Sequence, residues 1–149
     1  MNDGTIVGRI AVSGSSTAYN TSSDYRLKEN VVALDRAIDR VKQLAPKRFN
    51  FIAEPGATVD GFLAHEAQTV VPEAITGTHN GVEVWEEGEE LPDDVSVGDN
   101  KLDEDGNTIP AYQGIDQSKL VPLLTAALQE AIAKIETLET KVAALEAAS

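Results

Sequence analysis

The sequence predicts an α+β fold, in which a small antiparallel sheet with flanking helices precedes a long C-terminal coiled-coil helix. Three observations predict it. Apolar residues at helical spacing begin near Ser23, short alternating stretches bounded by turn residues fill the middle, and a heptad repeat runs from Leu120 to the end. A chain of 149 residues is long enough for one domain with a modest core.

Alternation over Ile6–Val12 predicts a strand, and Ser13-Gly14-Ser15-Ser16-Thr17 a flexible connection after it. From Ser23 the period becomes helical. Ser23-Asp24 would cap the start, Leu27, Val31, Leu34, Ile38, Val41 and Leu44 recur every three or four residues, and Pro46 stops the helix. Arg48–Ile52 alternates like a strand, Glu54-Pro55-Gly56-Ala57 reads as the turn, and Asp60–Ala64 as the return strand. A short helix is expected from His65 to Val70, ahead of Pro72. Val82, Val84 and Trp85 suggest a further strand, with its partner at Ile109–Gln113.

The last segment is the most regular. Val121, Leu128, Ile135 and Val142 fall at heptad position a, and Leu124, Ala131, Leu138 and Leu145 at d. Lys134 and Lys141 occupy g, with Glu139 and Glu146 at e five residues later. In a parallel coiled coil these g and e positions face each other across chains, so both pairs are of opposite charge. That matching favours self-association over an amphipathic helix packed only on its own domain. The mix of Val, Leu and Ile does not choose between two strands and three. Pro122 belongs in the first turn, where a missing amide costs nothing.

The net charge is −13, with 12 Lys and Arg against 25 Asp and Glu. A nucleic-acid binder needs clustered cations, and an anionic membrane surface would repel this chain. No run approaches the roughly 18 apolar residues of a membrane span, and Met1–Arg9 has neither the charged start nor the apolar run of a signal peptide. Cysteine is absent, which removes disulfides, thiol nucleophiles and Cys-ligated zinc. The acidity is concentrated. Residues 83–105 hold eleven carboxylates and one base, Lys101, and so carry most of the net charge. With Gly88, Pro92, Gly98 and Gly106, residues 83–108 read as a solvated insertion, a hairpin or loop kept extended by self-repulsion. A calcium loop placing Asp103, Asp105 and Gly106 at positions three, five and six would put Lys101 and Tyr112 where carboxylates are required, so that pattern fails.

Catalytic motifs are few. His65-Glu66 begins like a zinc-protease helix, but Thr69 stands at the second ligand position, and neither a metal nor a cofactor is expected. There is no phosphate loop and no Gly-x-Ser-x-Gly elbow. One constellation is left, Ser23-Asp24-Tyr25-Arg26-Leu27-Lys28-Glu29-Asn30. A serine becomes nucleophilic when a base takes its proton, and a lysine can be that base. Residues five apart on a helix point about 140° apart. Ser23 and Lys28 can therefore meet only if Ser23 lies on the loop before the helix, or across a subunit contact. As a plain N-cap, Ser23 would contribute only about 1 kcal/mol.

At these residues the sequence resembles the intramolecular chaperone domain of phage tail spikes and tail fibres, the S74 peptidase domain. The likeness runs through Tyr19–Val31, Phe49-Asn50-Phe51, Gly61–Gln68 and Val71–Gly77, and resumes from Tyr112-Gln113-Gly114-Ile115-Asp116 into the final helix. The resemblance implies a homotrimer whose contacts are the a and d residues of a coiled-coil helix over 118–148. It implies a chaperone, residues 23–149, that templates folding of the upstream β-stalk of the same polypeptide in the host bacterial cytoplasm. Met1–Ser22 would be the end of that stalk. It further implies self-cleavage between Ser22 and Ser23, with Ser23 as nucleophile, Lys28 as its base, and the released domain absent from the mature fibre. The alternatives are a structural trimerisation module that does not cleave, or a receptor-binding tip that presents the acidic loops.

Overall fold

A computed structural model describes residues 8–148. The chain forms two compact units, residues 1–33 and 34–149. Of the expected first strand, Ile6 and Val7 lie outside the described residues.

The first unit holds an antiparallel hairpin, β1 (Gly8–Ser13) and β2 (Ser16–Thr21), in which Ile10 faces Tyr19 and Val12 faces Thr17. The Ser/Thr/Gly run expected as a flexible connection is thus a two-residue turn and a second strand. Gly14 takes φ 56° at the first turn position, where the right-handed twist of a two-residue hairpin demands a residue without Cβ. Ile10, Val12 and Tyr19 are all exposed, so this ribbon has one exposed apolar face.

The helix expected from Ser23 to Ala45 is not there. A single 3-10 turn, Tyr25–Leu27, is followed by chain without regular structure, and a short helix α1 forms only at Ala37–Val41. Periodicity needs a surface to face, and Leu27, Val31 and Val32 are exposed. Asn30 and Arg36, at φ 52° and 51°, interrupt what helix the spacing would support.

The second unit is built on two hairpin-like pairings and a long helix. Strand β3 (Lys47–Phe51) pairs antiparallel with β4 (Glu54–Gly61), so the turn is Ile52-Ala53, and Pro55-Gly56 lie within the return strand. A bulge at Asn50/Phe51 absorbs the mismatch, bridged by Asn50 Nδ2 donating to Pro55 O and Thr58 Oγ1. Helix α2 (Ala64–Gln68) follows, then a 3-10 turn opened by Pro72, whose absent N–H is not needed there. Strands β5 (Ile75–Thr76) and β6 (Gly114–Ile115) close antiparallel. The small sheet expected in the middle of the chain is therefore two separate two-stranded ladders, β3–β4 and β5–β6, with isolated bridges where the 82–85 and 109–113 strands were expected.

The β5–β6 closure makes residues 77–113 an excursion from the domain. Val82 bridges Pro110, as the sequence suggested, and Val84 and Leu102 bridge Asn100 and Thr108. The acidic segment is not simply extended by repulsion. Its single base organises it: Lys101 N–H donates to Glu83 O, Ile109 N–H to Lys101 O, and Lys101 Nζ meets Glu89 Oε1 at 2.6 Å while lying 4.9 Å over the Trp85 ring. That hydrogen bond raises the pKa of Lys101 and lowers that of Glu89. Asp103, a position of the rejected calcium pattern, accepts through Oδ1 from the amides of Asp105 and Asn107 and so closes its own turn.

Helix α3 (Val121–Ala147) enters from a 3-10 turn, Gln117–Leu120, capped by Asp116. The core gathers on its first half: Ala37 from α1, Val70, Val71 and Ala74 after α2, with Leu120, Leu123 and Ala127. The small alanines let α1 and α3 approach closely. Glu130 of α3 secures the contact by accepting from Ala37 N–H (2.8 Å) and Ile38 N–H (3.2 Å), the otherwise unpaired amides at the start of α1. These two bonds hold the Glu130 carboxyl below its ordinary pKa. No helix among the described residues is long and apolar enough to cross a membrane.

Candidate functional site

Ser23 and Lys28 come together. Ser23 lies in the loop after β2, and Lys28 is the first residue beyond the 3-10 turn, with extended backbone at φ −126° and ψ 139°. The turn folds the chain back so that the two side chains, on opposite sides of it in sequence, reach one another. Lys28 Nζ donates to Ser23 Oγ at 2.8 Å. A continuous helix would have turned them apart. Ser23 lies on the loop, outside the turn, which is the placement that lets the pair form within one chain.

Ser23 does not cap the turn. Asp24 does: its Oδ1 accepts from Arg26 N–H at 2.9 Å, and Leu27 N–H and Lys28 N–H donate to Asp24 O and Tyr25 O. With the cap supplied by Asp24, the Ser23 hydroxyl is left to Lys28. The same carboxylate also takes the Arg26 side chain, Nε on Oδ1 at 2.9 Å and Nη2 on Oδ2 at 2.7 Å, a two-pronged pair of the kind arginine geometry favours. The side-chain bond to Arg26 lowers the Asp24 pKa and raises that of Arg26. Sequence reading had not singled out Asp24 and Arg26 as a pair. The signal was there, since an N-cap aspartate two residues before an arginine can hold both its amide and its guanidinium.

The whole motif faces solvent, including Tyr25, Leu27, Val31 and Val32. Such a pair can exchange a proton between lysine nitrogen and serine oxygen. The peptide bond preceding Ser23 joins it to Ser22.

The proposed contact residues Val121, Leu124, Leu128, Ile135, Leu138, Val142 and Leu145 are exposed along one side of α3, and Ala131 is half-buried. None of them belongs to the core. His65 and His79 stack with ring centroids 4.3 Å apart. Among the described residues no group of three or more His, Cys, Asp or Glu side chains is placed to hold a metal ion. An apolar groove of about 870 Å³ runs beside β3 and β4, lined by Phe49, Phe51, Ile52, Leu63 and Tyr112. Its one charged lining residue, Asp60, is held by Arg48 at 2.7 Å.

The family model described as Peptidase S74, chaperone of endosialidase, matches residues 23–76. The matched stretch opens on Ser23, and over it the resemblance read from the sequence is borne out. No curated protein matches the chain.

Proposed function

We propose, on the premise that residues 23–76 are a chaperone-of-endosialidase segment, that this chain is a C-terminal chaperone. It trimerises, templates folding of the β-rich fibre stalk preceding it, and releases itself by cutting Ser22–Ser23. The observation that carries the reading is the 2.8 Å contact between Lys28 Nζ and Ser23 Oγ at the start of the matched region.

The chemistry follows from that contact. Neutral Lys28 takes the hydroxyl proton of Ser23, and Oγ attacks the carbonyl carbon of Ser22. The carbon–nitrogen bond breaks, the Ser23 amine takes up a proton from Lys28, and the Ser22 acyl group is left as an ester on Oγ. Water hydrolyses the ester, giving a Ser22 carboxylate and a new N-terminus at Ser23 with its hydroxyl restored. Each chain turns over once. A lysine serves as base only when it can lose its proton, which covering by neighbouring chains would favour. The exposed motif and the exposed a and d stripe of α3 are both surfaces that an assembly would cover, so assembly and cleavage are coupled in that order.

Templating has a physical rationale. Interwound stalks depend on interchain contacts between distant residues, whose closure is slow. A local, low-contact-order helix bundle aligns three chains first and raises the effective concentration of the stalk segments. The work is done in the host bacterial cytoplasm. Release afterwards leaves the stalk without a template for refolding, and so kinetically trapped.

Intact mass of the polypeptide expressed with its upstream stalk tests this, run beside Ser23→Ala and Lys28→Ala. The expected result is a fragment beginning at Ser23 in the parent and whole chains in both variants. A parent that stays whole while its stalk assembles would leave a trimerisation module without protease activity.

A further inference from the structure

The Ser23–Lys28 pair sits beside a charge that should disable it. Asp24 follows the serine directly, and a free carboxylate there would compete for the Lys28 ammonium. An ammonium paired with a carboxylate keeps its proton more firmly, and a protonated lysine takes none from serine. In the structure Asp24 is held elsewhere, with Oδ1 on Arg26 N–H and Nε and Oδ2 on Arg26 Nη2, at 2.7 to 2.9 Å. Arginine retains its charge across the whole working pH range, so this hold does not depend on pH above the titration of Asp24.

We propose that Arg26 is a positioning residue of the site: by occupying both oxygens of Asp24 it keeps that carboxylate off Lys28 and leaves the lysine to Ser23. The inference deepens the self-cleavage reading and rests on it for its catalytic consequence. Asp24 has two tasks, capping the turn that brings Lys28 to Ser23 and receiving Arg26. Arg26 has one, masking Asp24. The other charged group of the segment is Glu29, which is exposed. Strand β2, which leads into the turn, carries no charged residue.

The Cε resonance of Lys28, in the chain labelled with 13C-lysine, is followed by NMR from about pH 8 to about pH 12. In Arg26→Ala the midpoint rises by about half a pH unit or more, a roughly threefold gain in proton affinity. In Asp24→Asn/Arg26→Ala it returns to the parent value, because asparagine still caps the turn but carries no charge. Asp24→Asn alone produces no rise. A midpoint unmoved in Arg26→Ala, or raised equally in the double variant, overturns the proposal. Where cleavage is observed, Arg26→Ala slows it roughly threefold or more near neutral pH, and both higher pH and the double variant recover it. A uniform slowing at every pH without recovery would make Arg26 merely structural. A parent that never cleaves sinks the self-cleavage reading instead, while the NMR titration still decides the clamp.

Discussion

Leu123 and Leu124 are neighbours on α3 with opposite fates: the first is 2% exposed and the second 48%. They mark two faces of one helix. Leu123, Ala127 and Glu130 look toward α1 and the chain after α2, and their packing and hydrogen bonds are complete within the chain. Leu124, Leu128 and Ile135 look away, and beyond Ala131 the helix keeps its apolar heptad with none of the buried core residues among those described. The difference teaches that α3 carries two separate instructions. One closes the domain. The other, with lysines at g and glutamates at e, has the pattern that on the proposed function would meet another copy of the helix.

The sharpest way to break the comparison is to charge the outer face. Leu128→Glu with Ile135→Glu should abolish self-association in sedimentation equilibrium and leave the domain folded by near-ultraviolet circular dichroism. A parent chain that sediments as a monomer at tens of micromolar would refute the self-association role of that face.

The next largest effect is on the inner face. Leu123→Ala should cost about 2–5 kcal/mol of domain stability, because it removes buried methyl groups and leaves a cavity. Chemical denaturation of the oligomerisation-deficient variant measures it without the complication of linked association. A loss no larger than that of Leu124→Ala in the same background would mean the two faces are not distinct.

The smallest effect is at the edge of the inner face. The Glu130 carboxyl is held below its ordinary pKa, first by the Ala37 amide and then by that of Ile38. A folded pKa depressed in this way contributes stability that is present above the unfolded value, about 4.3, and is lost as pH falls through the folded value. Glu130→Gln should therefore be slightly less stable than the parent at neutral pH, and the gap should close in acid below about pH 4. Thermal melts from neutral to acid pH would show it. A gap constant with pH would deny the carboxylate its role in holding α1.

Much of this was legible in the residues. The C-terminal helix, the short helix after Ala64 and the β3–β4 pair follow from local period and turn chemistry, although the β3–β4 turn falls at Ile52-Ala53 rather than at Pro55-Gly56. A proline and a glycine suggest a turn but do not compel one when the strand has a free edge and a bulge to accommodate them. The helix expected at 23–45 does not form although its spacing is real, because its apolar residues Leu27, Val31 and Val32 stay exposed. The acidic segment was misread because composition averages over position. One lysine among eleven carboxylates looks negligible in a count, yet it is placed at the centre of the pairing.

For the candidate site, the sequence alone determined the cast: a serine, a lysine five residues on, and an aspartate and arginine between them. It also determined the heptad stripe and its charges, since a helix period is a local property that each residue reports independently. Only the folded chain decided that these residues leave the helix for a single 3-10 turn, that Asp24 takes the cap from Ser23, and which side of α3 the core would cover. Those outcomes depend on which distant surfaces are available to meet a given face, and local periodicity carries no record of what lies opposite.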